Sequence, residues 1–398
     1  MLAEMGAGMA HRRGIHCGTA ALLNTFDAMG VTAPHSGQPF TEALLLGLSG
    51  GLGAGYILWE FKAHDSATLV IGFRARWNYA VEYMTGLCQR LNIPVEILEA
   101  GGSKAALANL KQTLAKGYPA PVWADKPNLP YHGLPERLKG YSLHIVAAQR
   151  LTDDHAELYD LAPALWTVTA SELAAARAQV PSSKNRVLSI DPPSAPLDLP
   201  AAVGAGIQAC IDHLSSDSES FSLPVIRKWA KTLTDSKNKK GWPSVFAGRK
   251  GLLDALTSVY EAVVWDQSDG TGLRGLYAQF LHEAADIMAV PRLHDAAQAY
   301  QAAGDAWRAF ANAALPGETG MLADSRRLID ARYQAFFANQ SGQVREHVSA
   351  WEVLRQRANA AFPLDDSAVR DLFADMQARL ETVYSAEVTA LETLKASL

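Results

Sequence analysis

Three residues of this chain have the types and the order that acyl chemistry on sulfur requires: Cys17, His144 and Asp160. Cys17 closes the run His11-Arg12-Arg13-Gly14-Ile15-His16 and opens an apolar stretch whose spacing predicts a helix over 17–29, with Gly30 at the C-terminal cap. At a helix start, unpaired N–H groups and the macrodipole favour a thiolate and can also receive an oxyanion. A small buried thiol is the plain alternative for a cysteine in that place. His144 stands inside the apolar strand Ser142–Gln149, where an imidazole needs a partner, catalytic or structural. Asp160 follows one hairpin later, past Thr152-Asp153-Asp154, so neighbouring antiparallel strands can bring its carboxylate to the imidazole. Nucleophile on a helix, base on a strand and acid on the next strand together carry more than any one of them alone.

The elements that must position these residues follow from periodicity. Further helices are expected at 40–48, 78–91 and 103–116, and strands at 68–73, 95–98, 121–124, 142–149 and 156–161. A helical start followed by a mostly antiparallel sheet is an α+β pattern. Beyond residue 200 the pattern is helical throughout, with amphipathic stretches at 200–215, 222–234, 250–266, 272–288, 293–314, 320–340, 345–360 and 367–397. Between them lie Pro181-Ser182-Ser183-Lys184 and Asp191-Pro192-Pro193-Ser194-Ala195-Pro196, which read as a linker. The expected organisation is therefore a catalytic domain over 1–180, a linker over 181–200 and a helical bundle over 201–398. Such a bundle could support a homodimer.

Composition narrows the function classes. A net charge of -5 and no basic stripe beyond Lys237-Asn238-Lys239-Lys240 argue against nucleic acid. No run approaches a membrane span, and Met1–Ala10 is too short for a secretion signal, so a cytoplasmic protein with reduced thiols is expected. Cys88 and Cys210 sit on apolar helix faces and read as inert. Gly50-Gly51-Leu52-Gly53-Ala54-Gly55 follows a helix and lacks a following Gly-Lys-Ser/Thr, so a nucleotide loop is not expected; the glycines would let backbone approach the site or a substrate arm. No histidine or acid spacing predicts a metal site, and no bound cofactor is expected.

Several blocks resemble the butirosin biosynthesis protein H family. They are the His11–Cys17 run with Thr19-Ala20, Phe40-Thr41-Glu42-Ala43 with the glycine-rich block and Tyr56, Gly72-Phe73-Arg74, Asp125 with Leu129-Pro130-Tyr131-His132, and Gly140–Val146. Gly270-Thr271-Gly272-Leu273-Arg274 with Tyr277 and Phe280 is similar to its helical C-terminal domain. The resemblance implies a papain-like, cysteine-peptidase-like N-terminal domain with an all-α C-terminal domain. It carries over Cys17 as nucleophile, His144 as base and Asp160 as the orienting residue. It also implies a donor held as a phosphopantetheine thioester on an acyl or peptidyl carrier protein, and a small-molecule amine acceptor.

One departure from papain-like enzymes is the lack of a glutamine upstream of Cys17 to complete an oxyanion hole. His11, His16 or two backbone N–H groups are the candidates to replace it. Most other candidate substrate contacts have a structural alternative. Glu42 is a substrate contact or an early-helix charge; Arg74 binds a phosphate or carboxylate or pairs within its domain; Asp125 meets an amine or ends a strand in a turn. Tyr131 and His132 line the site or belong to a loop; Arg274 and Tyr277 help the bundle close over the site, with core packing as the alternative for Tyr277.

Overall fold

In the computed structural model, residues 12–61, 66–76, 79–318 and 320–398 are described. The protein is α+β, with sheet in its N-terminal part and helices in its C-terminal part. The chain divides into two compact units that interleave along the sequence. The first takes residues up to Leu45, then Leu91–Leu197 and Arg332–Glu346; the second takes Leu46–Arg90, Asp198–Ala331 and His347–Leu398.

The first unit is built on a six-stranded antiparallel sheet. Its strands are β3 (Val95–Leu98), β4 (Ala120–Asp125), β5 (Leu143–Leu151), β6 (His155–Tyr159), β7 (Trp166–Thr169) and β8 (Val187–Ile190). Their order across the sheet is β3-β8-β4-β5-β6-β7. Helix α1 (Cys17–Ala28) packs on β4 and β5. Every residue of α1 from Cys17 to Phe26 is buried. A helix buried all round belongs to the core rather than to a surface. Gly30, at φ 69°, ends it, with Val31 N–H donating to Phe26 O at 3.0 Å.

The stretch 181–200 differs from the expected linker. Its prolines flank Val187-Leu188-Ser189-Ile190, and those four residues form β8, fully buried between β3 and β4. No proline lies inside β8, so each of its residues keeps its backbone donor for the ladder.

The second unit holds the hairpin β1 (Leu52–Phe61) and β2 (Ser66–Arg74), which packs on α6 (Leu199–Leu214), α7 (Pro224–Thr234) and α9 (Leu252–Val264). Its long helices α10 (Arg274–Met288), α11 (Leu293–Ala314) and α14 (Asp366–Ser397) pack on one another. The glycine-rich block is the turn from α2 (Glu42–Leu48) into β1. Gly51 has φ 67°, and a Cβ there would lie 2.6 Å from the Tyr277 ring. These glycines allow close packing inside the unit. No described helix is long and apolar enough to cross a membrane.

Candidate active site

The loop before Cys17 is pinned from several directions. Arg12 Nη2 donates to both oxygens of Asp27, at 2.9 and 2.8 Å, and to Phe40 O at 3.0 Å. Gly14 N–H donates to Leu161 O at 2.9 Å, tying the loop to the residue after Asp160. Only glycine fits at 14, because a Cβ would lie 2.5 Å from that of Ala20. Glu42, the first residue of α2, accepts from Ile15 N–H at 2.9 Å, His16 N–H at 2.8 Å and the Thr19 hydroxyl at 2.7 Å. Burial raises its pKa, while these donors and Arg12 pull the other way. His16 caps α1 through Nδ1, which accepts from Gly18 N–H at 3.2 Å. An Nδ1 that accepts leaves the neutral ring's proton on Nε2. Neither Glu42 nor His16 is thereby a free substrate contact; both hold the backbone on which Cys17 sits.

His144 and Asp160 meet through strand register. Ala147 pairs with Tyr159, so Asp160 falls opposite Val146, a diagonal neighbour of His144 on the same face. His144 Nε2 lies 2.7 Å from Asp160 Oδ1, with both side chains fully buried. Burial lowers the imidazole pKa, but the Asp160 carboxylate and the adjacent Cys17 more than offset it, taking it up to about 10. Cys17 interacts with this same imidazole. At neutral pH His144 is held in its charged form.

Asp160 gathers three further donors. Leu161 N–H reaches Oδ1 at 2.7 Å, and Oδ2 accepts from Tyr131 Oη at 3.0 Å and His132 Nε2 at 3.1 Å. Burial would raise the carboxyl pKa; His144 and His132 outweigh it and hold Asp160 well below the usual range. Tyr131, expected as a candidate substrate contact, is buried with its hydroxyl on Asp160. His132, readable as a loop histidine, is a second imidazole on the same carboxylate. Its partner is 28 residues away, so nothing local in the sequence marks it.

Burial lowers the His132 pKa to about 4, with Asp160 opposing, so this ring is neutral and its Nε2 proton goes to Asp160. The two histidines therefore bias stability in opposite pH windows. A histidine with a depressed folded pKa costs stability as pH falls from its unfolded value, about 6.5, through about 4. His144, raised to about 10, contributes stability that is fully present below about 6.5 and is lost as pH rises through about 10. His132→Gln keeps a donor for Asp160 and removes the titration. Thermal melts between pH 7 and 4 should show a shallower acid decline for this variant than for wild type. Parallel declines would contradict a neutral, buried His132.

The remaining candidates lie elsewhere or are committed. His11 lies outside the described residues. Asp125 ends β4, fully buried, and its oxygens accept from Asn128 Nδ2 at 2.6 Å and Gly140 N–H at 3.0 Å. It fastens the β4–β5 connection. Arg74, in the second unit, donates to Ala75 O and Arg76 O at 3.0 and 2.8 Å and covers the Tyr83 ring. Arg274, also in that unit, is fully buried. It bonds Glu387 at 2.6 Å, Gly53 O at 2.9 Å and Gly272 O at 2.6 Å. Its donors join the β1–β2 hairpin to α10 and α14, which gives it a packing role. Burial pushes Cys88 up to about 12 and Cys210 up to about 11, consistent with inert thiols.

Spacing along the chain predicts no metal-ligand group, yet the fold makes one: His132, His144 and Asp160 have ligand-type atoms all within 4.8 Å of one another. In this arrangement each histidine directs its Nε2 at Asp160, the geometry of a hydrogen-bonded acid–base cluster.

The fold and site describe an α+β protein in which a helix-borne cysteine lies beside a buried histidine–aspartate pair. Its sequence matches the family Butirosin biosynthesis protein H, N-terminal, over residues 16–160, and a domain of unknown function, DUF4872, over residues 171–332. With both domains in this order, the chain belongs to the butirosin biosynthesis protein H-like family. No curated protein matches it.

Proposed function

We propose that the protein is a cysteine-dependent acyltransferase of natural-product biosynthesis, with Cys17, His144 and Asp160 as its triad on a papain-like domain. The observation that carries this reading is the buried 2.7 Å pair of His144 and Asp160 with Cys17 beside the same imidazole. The family name, which points to a biosynthetic enzyme, supports it from a separate direction.

The donor in this reading is a phosphopantetheine thioester on a carrier protein. The Cys17 sulfur, as a thiolate beside the protonated His144, attacks the thioester carbonyl. The carbon–sulfur bond to the arm breaks, and His144 protonates the leaving thiol. A small-molecule amine then attacks the acyl-enzyme, losing its proton to the now neutral His144, and the amide leaves with Cys17 restored as the thiolate beside the protonated His144. One sulfur replaces another in the first half, so that step is nearly isoenergetic. Asp160 stays ionised throughout and steadies the imidazolium.

The test is a transfer assay with acyl-pantetheine thioesters and a panel of amines, run before and after dialysis against a chelator. Amide formation that needs both substrates and survives dialysis supports the reading. Release of free acid with every amine would make the enzyme a thioesterase. Activity lost to the chelator and restored by zinc would turn the reading to a metal held by His132, His144 and Asp160.

A further inference from the structure

The first unit contains one segment from far along the chain, Arg332–Glu346, at the end of α12 (Gly320–Phe337) and the start of α13 (Ser341–Ala360). Residues 333–346 lie outside both family matches. The chain turns there through Asn339 at φ 57°, with Gln340 N–H donating to Ala335 O at 2.9 Å.

This segment touches the catalytic neighbourhood at three places. Phe336 stacks on His132, with centroids 5.0 Å apart and rings 14° from parallel, and on Trp166 at 5.5 Å and 22°. Trp166 in turn stacks on Tyr131 at 4.5 Å and 9°. Both residues that donate to Asp160 Oδ2 are thus held in one aromatic pack that Phe336 completes. Arg13, four residues before Cys17, places its guanidinium 3.7 Å from the Phe337 ring centroid. Arg345 packs on Gly133, where a Cβ would lie 2.9 Å from its Cγ and 3.2 Å from its Cα.

We propose that segment 332–346 is a working part of the catalytic centre, and that Phe336 is a positioning residue that holds His132 flat against Asp160 and keeps water from the carboxylate that orients His144. The inference rests on the triad reading above, but its geometry stands without it. A ring stacked on His132 restricts that imidazole to the plane in which Nε2 meets Oδ2. Removing the ring frees His132 to turn away and opens a path for water to Asp160. A misplacement of this kind acts on the chemical step more than on binding.

The experiment uses the full-length protein and two readouts. Hydrogen exchange is followed at the Leu161 amide, which donates to Asp160 Oδ1 at 2.7 Å, with the Val122 amide in β4 as an internal control. Acylation by S-acetyl-pantetheine gives kcat and KM. In Phe336→Ala the Leu161 amide should exchange at least about tenfold faster than in wild type with Val122 unchanged, and kcat should fall about tenfold or more while KM stays within about threefold. Phe336→Leu, which keeps bulk but not the flat face, should move both in the same direction by less, and it carries the test if the alanine variant does not fold. Wild-type exchange at Leu161 in a folded variant overturns the proposal, as does exchange that rises equally at Val122. If wild type is not acylated at all, the acyltransferase reading fails while the exchange readout still decides the role of Phe336.

Discussion

Replacing Cys17 with alanine is expected to abolish acyl transfer, by on the order of 10⁴-fold or more, with little change in stability. The size follows from the role: the acyl group has no other sulfur to occupy. Cys88 and Cys210 are buried, with pKa values of about 12 and about 11, and both belong to the second unit, whereas Cys17 belongs to the first. The small effect on stability follows from what holds the loop. Arg12, Gly14, Glu42 and His16 fix the backbone around Cys17 through bonds that do not use its side chain. A loss of a few fold, measured as amide formation from a thioester and an amine, would mean that another group does the chemistry.

Asp160→Asn should lose activity by about 10²- to 10⁴-fold while folding, and Asp160→Ala should also lose several kcal/mol of stability. Four donors converge on this carboxylate: His144, His132, Tyr131 and Leu161. An amide offers one acceptor oxygen and presents N–H groups to the others, so the His144 ring loses its fixed tautomer and orientation. Alanine leaves all four buried donors unmet, and each unmet donor costs about 1–3 kcal/mol. Denaturant titration separates the two variants from a purely catalytic effect. An alanine variant as stable as wild type would mean that water readily replaces the carboxylate, and that the cluster is less sealed than its burial indicates.

Helices that pack along one stripe were legible in the chain. Periodicity predicts 293–314 and 367–397, and the structure has Leu293–Ala314 and Asp366–Ser397. The triad candidates were legible because each carries its own signal: a thiol at a helix start, an imidazole in an apolar strand, an acid at the end of the next strand. What stayed hidden depends on contacts distant in sequence. Strand β8 is four residues between prolines, three of them apolar, too short for a period to show, and only its pairing with β3 and β4 makes it a strand. Strand β1 begins among glycines, where no strand is expected from the sequence, because its register with β2 is set by packing in the second unit.

The burial of Asp125 and Arg274 was not legible either: their partners are backbone groups and side chains of their own units, distant in sequence for Arg274. His132 and Phe336 carry no local mark, since their roles come from Asp160 and Trp166 across long stretches of chain. The interleaving of the units, with residues 46–90 in one and 332–346 in the other, likewise leaves no trace in composition.

The central claim is that Cys17 carries the acyl group, and an intact mass spectrum tests it most directly. Wild type mixed with an acyl-pantetheine thioester and no amine should gain the mass of one acyl group, mapped to the peptide bearing Cys17 and discharged when an amine is added. Cys17→Ala should gain nothing. Folded wild type that turns the thioester over without a Cys17 adduct, or an alanine variant that acquires the same mass, would contradict the account.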